Sequence, residues 1–245
     1  MTPNNQDPLL AGLRRALSNE RLDAYGIGRP DDEKLATYLW NVALCESLYP
    51  ALHGLEIALR NAVFRAGMAA FPSCVSRDVP CWLDADPPII LGPDQHVMAA
   101  VKARLRRGNK PMEPGCLVAD LSFGFWTTLF DVRYERRKTL WPRLFAHGLM
   151  DASSPRSIRS RNKLSPLLNR VRHLRNRVFH YEPVWHWKDL HEQHALTWEL
   201  LGWFSPELLA ALRPNSRFDA VHGTGAQPFR EQVATLLKDR GPPST

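Results

Sequence analysis

The chain has 245 residues, 44% hydrophobic and 23% charged, which are globular values that allow a sizeable buried core. Its formal charge is +7 at neutral pH, so an acidic surface is excluded as its dominant feature. No run approaches the ~18 apolar residues of a membrane span, and Met1 to Pro8 lacks the apolar stretch of a secretory signal, so a cytoplasmic protein without a membrane partner is expected.

Leu9, Leu10, Leu13 and Leu17 recur on one helical face and predict a helix over 9–22, closed by Gly26, Gly28 and Pro30. Asp31 and Asp32 cap the next helix, along which Leu35, Tyr38, Leu39, Val42, Cys45 and Glu46 follow at helical intervals. Pro50 predicts a kink or a break. Beyond it a helix should reach about Phe71, burying Leu52, Leu55, Leu59, Val63 and Ala66. Residues 72–93 are proline-rich and read as a long connection.

Asp94 is placed to cap a helix ending near Arg107. Leu117 to Phe130 reads as helical, with Phe123, Phe125 and Trp126 in the core and Gly124 marking a close helix–helix contact. A cationic run follows from Arg133 to Arg143. Ser165-Pro166 is the expected start of a helix lasting to about His180, because Pro183 disfavours helical geometry at Glu182. Further helices are expected over 189–204, from Ser205-Pro206 to near Leu212, and weakly over 229–237 before a loose tail. No segment alternates with period two. The predicted fold class is all-α.

The positive charge is concentrated. Between Arg156 and Arg177 lie Arg156, Arg159, Arg161, Lys163, Arg170, Arg172, Arg175 and Arg177 without a single acid, so the remainder of the chain is nearly neutral. A local cationic run is what a surface for polyanions requires, and these residues are the candidate RNA contacts. At its end stand Arg175, Asn176 and His180: a guanidinium for phosphate charge, an amide to hold geometry and an imidazole that transfers protons near neutral pH. Asn176 and His180, four apart, share a helical face with Arg172, while Arg175 lies about 140° round from His180. Arg217 and His222 repeat the Arg-x4-His spacing, in a region that reads as loop and without the following Asn.

Glu56 and Arg60 are one helical turn apart, spaced either for an exposed ion pair or for a buried polar brace. Cys45, Cys74, Cys81 and Cys116 show neither a C-x-x-C pair nor zinc spacing, so reduced thiols and no metal are expected.

Three segments taken together, Leu55-Glu-Ile-Ala-Leu-Arg-Asn61, Leu121-Ser-Phe-Gly-Phe-Trp126 and Leu174-Arg-Asn-Arg-Val-Phe-His-Tyr-Glu-Pro183, resemble in order the Abi-like family of abortive-infection proteins in the HEPN superfamily. The resemblance implies a HEPN-like helical bundle over 31–205, with a helical extension at 1–30 and short helices with a loose tail at 206–245. It implies a two-fold homodimer with an Arg-x4-6-His motif from each protomer facing a shared cleft. It also implies metal-independent endoribonuclease activity without a cofactor, serving phage defence or a toxin–antitoxin system, with RNA as substrate and an inhibitory antitoxin, RNA or protein, as a further partner. Arg175, Asn176 and His180 match the family's catalytic motif, while Glu56, Arg60 and Asn61 match its Glu-x-x-Leu-Arg-Asn helix. Glu182 stands where toxins silenced by nucleotidylation carry Tyr, which argues against that form of silencing here.

Three rival readings accompany this one. A HEPN-like dimer could hold RNA or nucleotides without cutting; a structural protein could use Arg175 and His180 only for capping and pairing; a DNA-binding module ranks last, since no helix-turn-helix pattern or zinc spacing is present.

Overall fold

Apolar residues spaced three and four apart carry the chain into helices. A computed structural model describes residues 8–75, 80–136 and 140–238, and among these there are 13 α-helices and no strand. Met1 to Asp7, the tail beyond Lys238, residues 76–79 of the proline-rich connection and residues 137–139 of the cationic run lie outside the described residues.

In order the helices are α1 (Pro8–Leu17), α2 (Asn19–Asp23), α3 (Asp31–Ala70), α4 (Gly92–Arg107), α5 (Pro114–Asp120), α6 (Phe123–Thr128) and α7 (Val132–Arg136). They continue as α8 (Arg143–Ala146), α9 (Arg161–Phe179), α10 (Leu190–Phe204), α11 (Pro206–Leu212), α12 (Phe218–Thr224) and α13 (Gln227–Lys238). No helix among the described residues is long and apolar enough to cross a membrane.

The chain divides into two units, the first comprising Met1–Pro50, Asn176–Glu192 and Asn215–Thr245, the second Ala51–Arg175 and Gln193–Pro214. In the first unit the two ends of the chain share one core. Leu10 and Leu13 of α1, together with Phe229 and Leu237 of α13, pack against Leu35, Ala36 and Val233. Lys34 is buried and is held by Asp23 at 2.6 Å. Asn41, also buried, accepts through Oδ1 from the backbone N–H groups of Val184 (2.8 Å) and Trp185 (3.1 Å), tying down the chain after Pro183.

The second unit centres on large aromatics: Trp82, Trp126, Tyr134, Phe123 and Phe130 are fully buried. Trp82 lies on the backbone of Gly67, where a Cβ would come within 2.1 Å of the indole, and its Nε1 donates to the Phe64 carbonyl at 3.1 Å. Gly54 is similarly covered by Leu201 and Leu212. Gly124 does not mark a close contact, because a Cβ there would meet only Ser122 Oγ at 3.5 Å. Phe123, Phe125 and Trp126 are core residues, as expected.

Several boundaries differ from expectation, each for a local reason. The helix predicted over 9–22 is interrupted at Ser18, whose φ is 64° and whose hydroxyl accepts from Arg21 N at 3.3 Å to cap α2. Helix α3 runs unbroken through Pro50. One i−4 hydrogen bond is lost there, but Leu48, Ala51 and Leu52 are buried on either side. Asp94 sits inside the first turn of α4, with Leu91 as N-cap. It is buried and accepts from Arg133 (2.6 Å), Tyr134 Oη (2.5 Å) and Thr128 Oγ1 (3.2 Å). The helix expected over 117–130 splits into α5 and α6 because the Ser122 hydroxyl accepts from Phe125 N. The Arg217–His222 stretch, read as loop, is the start of α12, with His222 stacked on Phe218 at a centroid distance of 5.2 Å.

Candidate functional site

Helix α9 forms because Leu164, Leu168, Val171, Leu174 and Val178 make one apolar stripe, all buried, while the cations occupy its other faces. It begins at Arg161, before the Ser165-Pro166 start that its sequence suggests. The extra turn is secured by Arg161, which donates to Glu135 at 2.7 Å and to the Phe130 carbonyl at 3.2 Å. Pro166 then falls inside the helix.

The end of α9 has the hydrogen-bond pattern of a Schellman motif. Glu182 N donates to Arg177 O at 2.9 Å, and Tyr181 N to Val178 O at 3.1 Å. His180 is therefore the C-cap, with its own N–H on Asn176 O at 2.8 Å. Tyr181 takes the left-handed position with φ 61°, where glycine is usual. Arg21 donates to the Tyr181 carbonyl, and the Arg177 and Glu182 side chains pair with each other, so the turn is held from both sides. Asn176 and His180 are both exposed. Arg177 also lies over the Trp187 ring, 5.6 Å from its centroid.

In the second unit Arg175 turns to Glu56: its Nε is 3.3 Å from Oε2, across 119 residues of sequence. Their side chains are 25% and 21% exposed, so the guanidinium is anchored while part of it still meets solvent. Glu56 is not paired with Arg60 among the described residues; Arg60 Nε is buried without a hydrogen-bond partner. Asn61 is half-buried on the following turn of α3.

The eight cations are not equivalent. Arg156, Lys163 and Arg170 are exposed and Arg172 is half-buried. Arg159 is spent on the fold, donating to the carbonyls of Asp151, Ala152 and Ser154 and to Ser154 Oγ. Arg161 is committed to Glu135 and Phe130 as described above. Among the described residues no group of three or more His, Cys, Asp or Glu side chains could hold a metal ion.

A feature that sequence reasoning missed lies in the first unit. A cavity of about 440 Å³ is lined by the aromatics Tyr25, Tyr38, Tyr49, Phe179 and Tyr181, with Arg21 and Glu46 as its charged residues. The helical spacing of Tyr38, Val42, Cys45 and Tyr49 puts them on one face of α3, but spacing alone does not say what covers that face. Val42 and Tyr49 are nearly half exposed. Burial does act on Tyr25 and Cys45, pushing the phenol up to about 12 and the thiol up to about 11, so both stay protonated near neutral pH.

No family model matches the chain, and comparison with curated proteins and with solved structures finds no match.

Proposed function

We propose that the chain is a cytoplasmic, metal-independent endoribonuclease of a phage-defence or toxin–antitoxin system, acting as a HEPN-like homodimer. The observation that carries this reading is the contact between Glu56 and Arg175. Two of the three segments on which the Abi-like resemblance rests meet through side chains of opposite charge, although 119 residues separate them. Exposure of His180 and Asn176 at the end of α9 supports it further, since a group that exchanges protons with RNA has to be reachable.

In this mechanism one His180 imidazole accepts the proton of a ribose 2′-OH. The 2′ oxygen bonds to the adjacent phosphorus, the bond from phosphorus to the 5′ oxygen breaks, and that oxygen takes a proton from the second protomer's imidazole. Arg175 stabilises the phosphate charge of the transition state, and Asn176 orients the phosphate or the imidazole. Arg156, Lys163, Arg170 and Arg172 contribute the salt-dependent attraction to the RNA backbone.

The test is incubation of the purified protein with total RNA in EDTA, beside His180→Ala and His222→Ala. The expected products carry 2′,3′-cyclic phosphate and 5′-hydroxyl ends. His180→Ala should lose ~10²–10⁴-fold in rate, while His222→Ala on α12 should cut as the parent does. Cleavage by His180→Ala at the parent rate would overturn the assignment. The aromatic cavity would equally suit a module that holds RNA or nucleotides without cutting, and absence of cleavage with RNA binding retained would favour that second reading.

A further inference from the structure

The aromatic cavity of the first unit is used by nothing in the cleavage chemistry, yet it begins one residue from His180 on either side, at Phe179 and at Tyr181. Its construction is specific. Tyr25 and Tyr38 meet edge to face, with centroids 5.3 Å apart, and make one aromatic wall. Tyr49 and Phe179 stand 6.3 Å apart with planes inclined at 51°, which continues the aromatic lining. Tyr181 is 74% exposed and Tyr49 49% exposed. Together with Val42, 47% exposed, they make a contiguous apolar surface around the cavity, the kind of patch that marks a binding site.

The backbone adds a second observation. Tyr181 holds φ 61°, a left-handed conformation that disfavours a side chain, at a position where glycine would be relaxed. A ring is therefore displayed at the cavity mouth against a conformational cost, and Arg21 steadies it by donating to its carbonyl. Arg21, which lines the cavity, uses Nη2 for that bond and has further guanidinium N–H groups. Tyr25 is fully buried in that wall, and its hydroxyl accepts from Asn41 Nδ2 at 3.4 Å.

We propose that this cavity receives one unstacked nucleobase of single-stranded RNA, stacked on Tyr49 and Tyr181, with Arg21 on the attached phosphate. The inference rests on RNA being the substrate. Aromatic walls with a cation beside them match a base and its phosphate, whereas a purely aliphatic ligand would leave Arg21 without a role. The volume lies within the ~300–1,000 Å³ of small-molecule sites. Because the walls flank His180 in the chain, the base held here would select which phosphodiester is cut.

The test uses the full chain and a 2′-O-methyl hexaribonucleotide, which cannot be cleaved because the nucleophile is blocked, beside the same hexamer with abasic sugars. The base-containing strand should bind about tenfold more tightly, and Tyr49→Ala and Tyr181→Gly should each remove about that factor. Tyr181→Gly is the fold-safe variant, since its φ suits glycine. Equal affinity for the two strands, or unchanged affinity in both variants, overturns the cavity assignment. So does Tyr49→Ala converting a dimer to a monomer with RNA affinity intact, which would give this face to a second copy. Mapping cut sites on a natural RNA separates this inference from the proposed activity. Unchanged cut sites in both variants overturn the base pocket and leave the ribonuclease standing; a parent that never cuts, but whose hexamer binding needs Tyr49 and Tyr181, overturns the ribonuclease and leaves the pocket.

Discussion

Arg175 Nε and Glu56 Oε2 lie 3.3 Å apart, joining α9 to α3 in the second unit. A cation that is to meet a phosphate needs a fixed direction, and a carboxylate behind it supplies one without burying it. Both side chains keep a fifth to a quarter of their exposure, so solvent screens the pair and its share of stability is small.

Glu56→Gln should therefore cost less than ~1 kcal/mol of stability, yet lower the rate of RNA cleavage about tenfold by letting Arg175 swing. Single-turnover cleavage and a urea midpoint, measured on the same preparation, check the two halves. A large stability loss with normal cleavage would make the pair structural.

Asn41 carries two backbone N–H groups on one oxygen, those of Val184 and Trp185. Asn41→Ala leaves both without that acceptor in a region where Val184 is fully buried. The expected loss is about 1–3 kcal/mol, read as a fall in the denaturation midpoint. Because those residues follow the turn at His180, cleavage should fall as well.

Tyr181→Gly should act in the opposite direction on stability. Glycine relieves the left-handed backbone, and a gain of about 0.5–1 kcal/mol is expected after the greater chain entropy of glycine in the unfolded state is counted. A thermal unfolding curve shifted upward checks it; a downward shift would mean that packing of the ring outweighs the strain.

Two glycines of the second unit make a matched pair. A Cβ on Gly67 would sit 2.1 Å from the Trp82 indole, whereas one on Gly124 would meet nothing nearer than 3.5 Å. Gly67→Ala should cost at least ~1–3 kcal/mol through overpacking, while Gly124→Ala in α6 should be neutral or stabilising by up to ~1 kcal/mol. Chemical denaturation of both variants gives the comparison directly.

What the sequence determined by itself is whatever is settled within a turn or two of helix. The apolar stripe Leu164, Leu168, Val171, Leu174 and Val178, the capping hydroxyl of Ser205 before Pro206, and the stop near His180 before Pro183 all involve neighbours in the chain; α11 starts and α9 stops where expected. The all-α class follows from the same short-range signal. Tertiary structure decided the rest, because partners far apart in sequence competed with the local ones. Pro50 and Pro166 should have bounded helices; buried neighbours and the Arg161 contacts carry α3 and α9 through them. Glu56 had Arg60 one turn away, a pairing worth only a few tenths of a kcal/mol, and found Arg175 instead. Arg159 read as an RNA contact and proved to be a clamp on three carbonyls. The stripe through Val42 and Tyr49 had the period of a core face, but period says only that residues share a face, and the fold left this one open on a cavity.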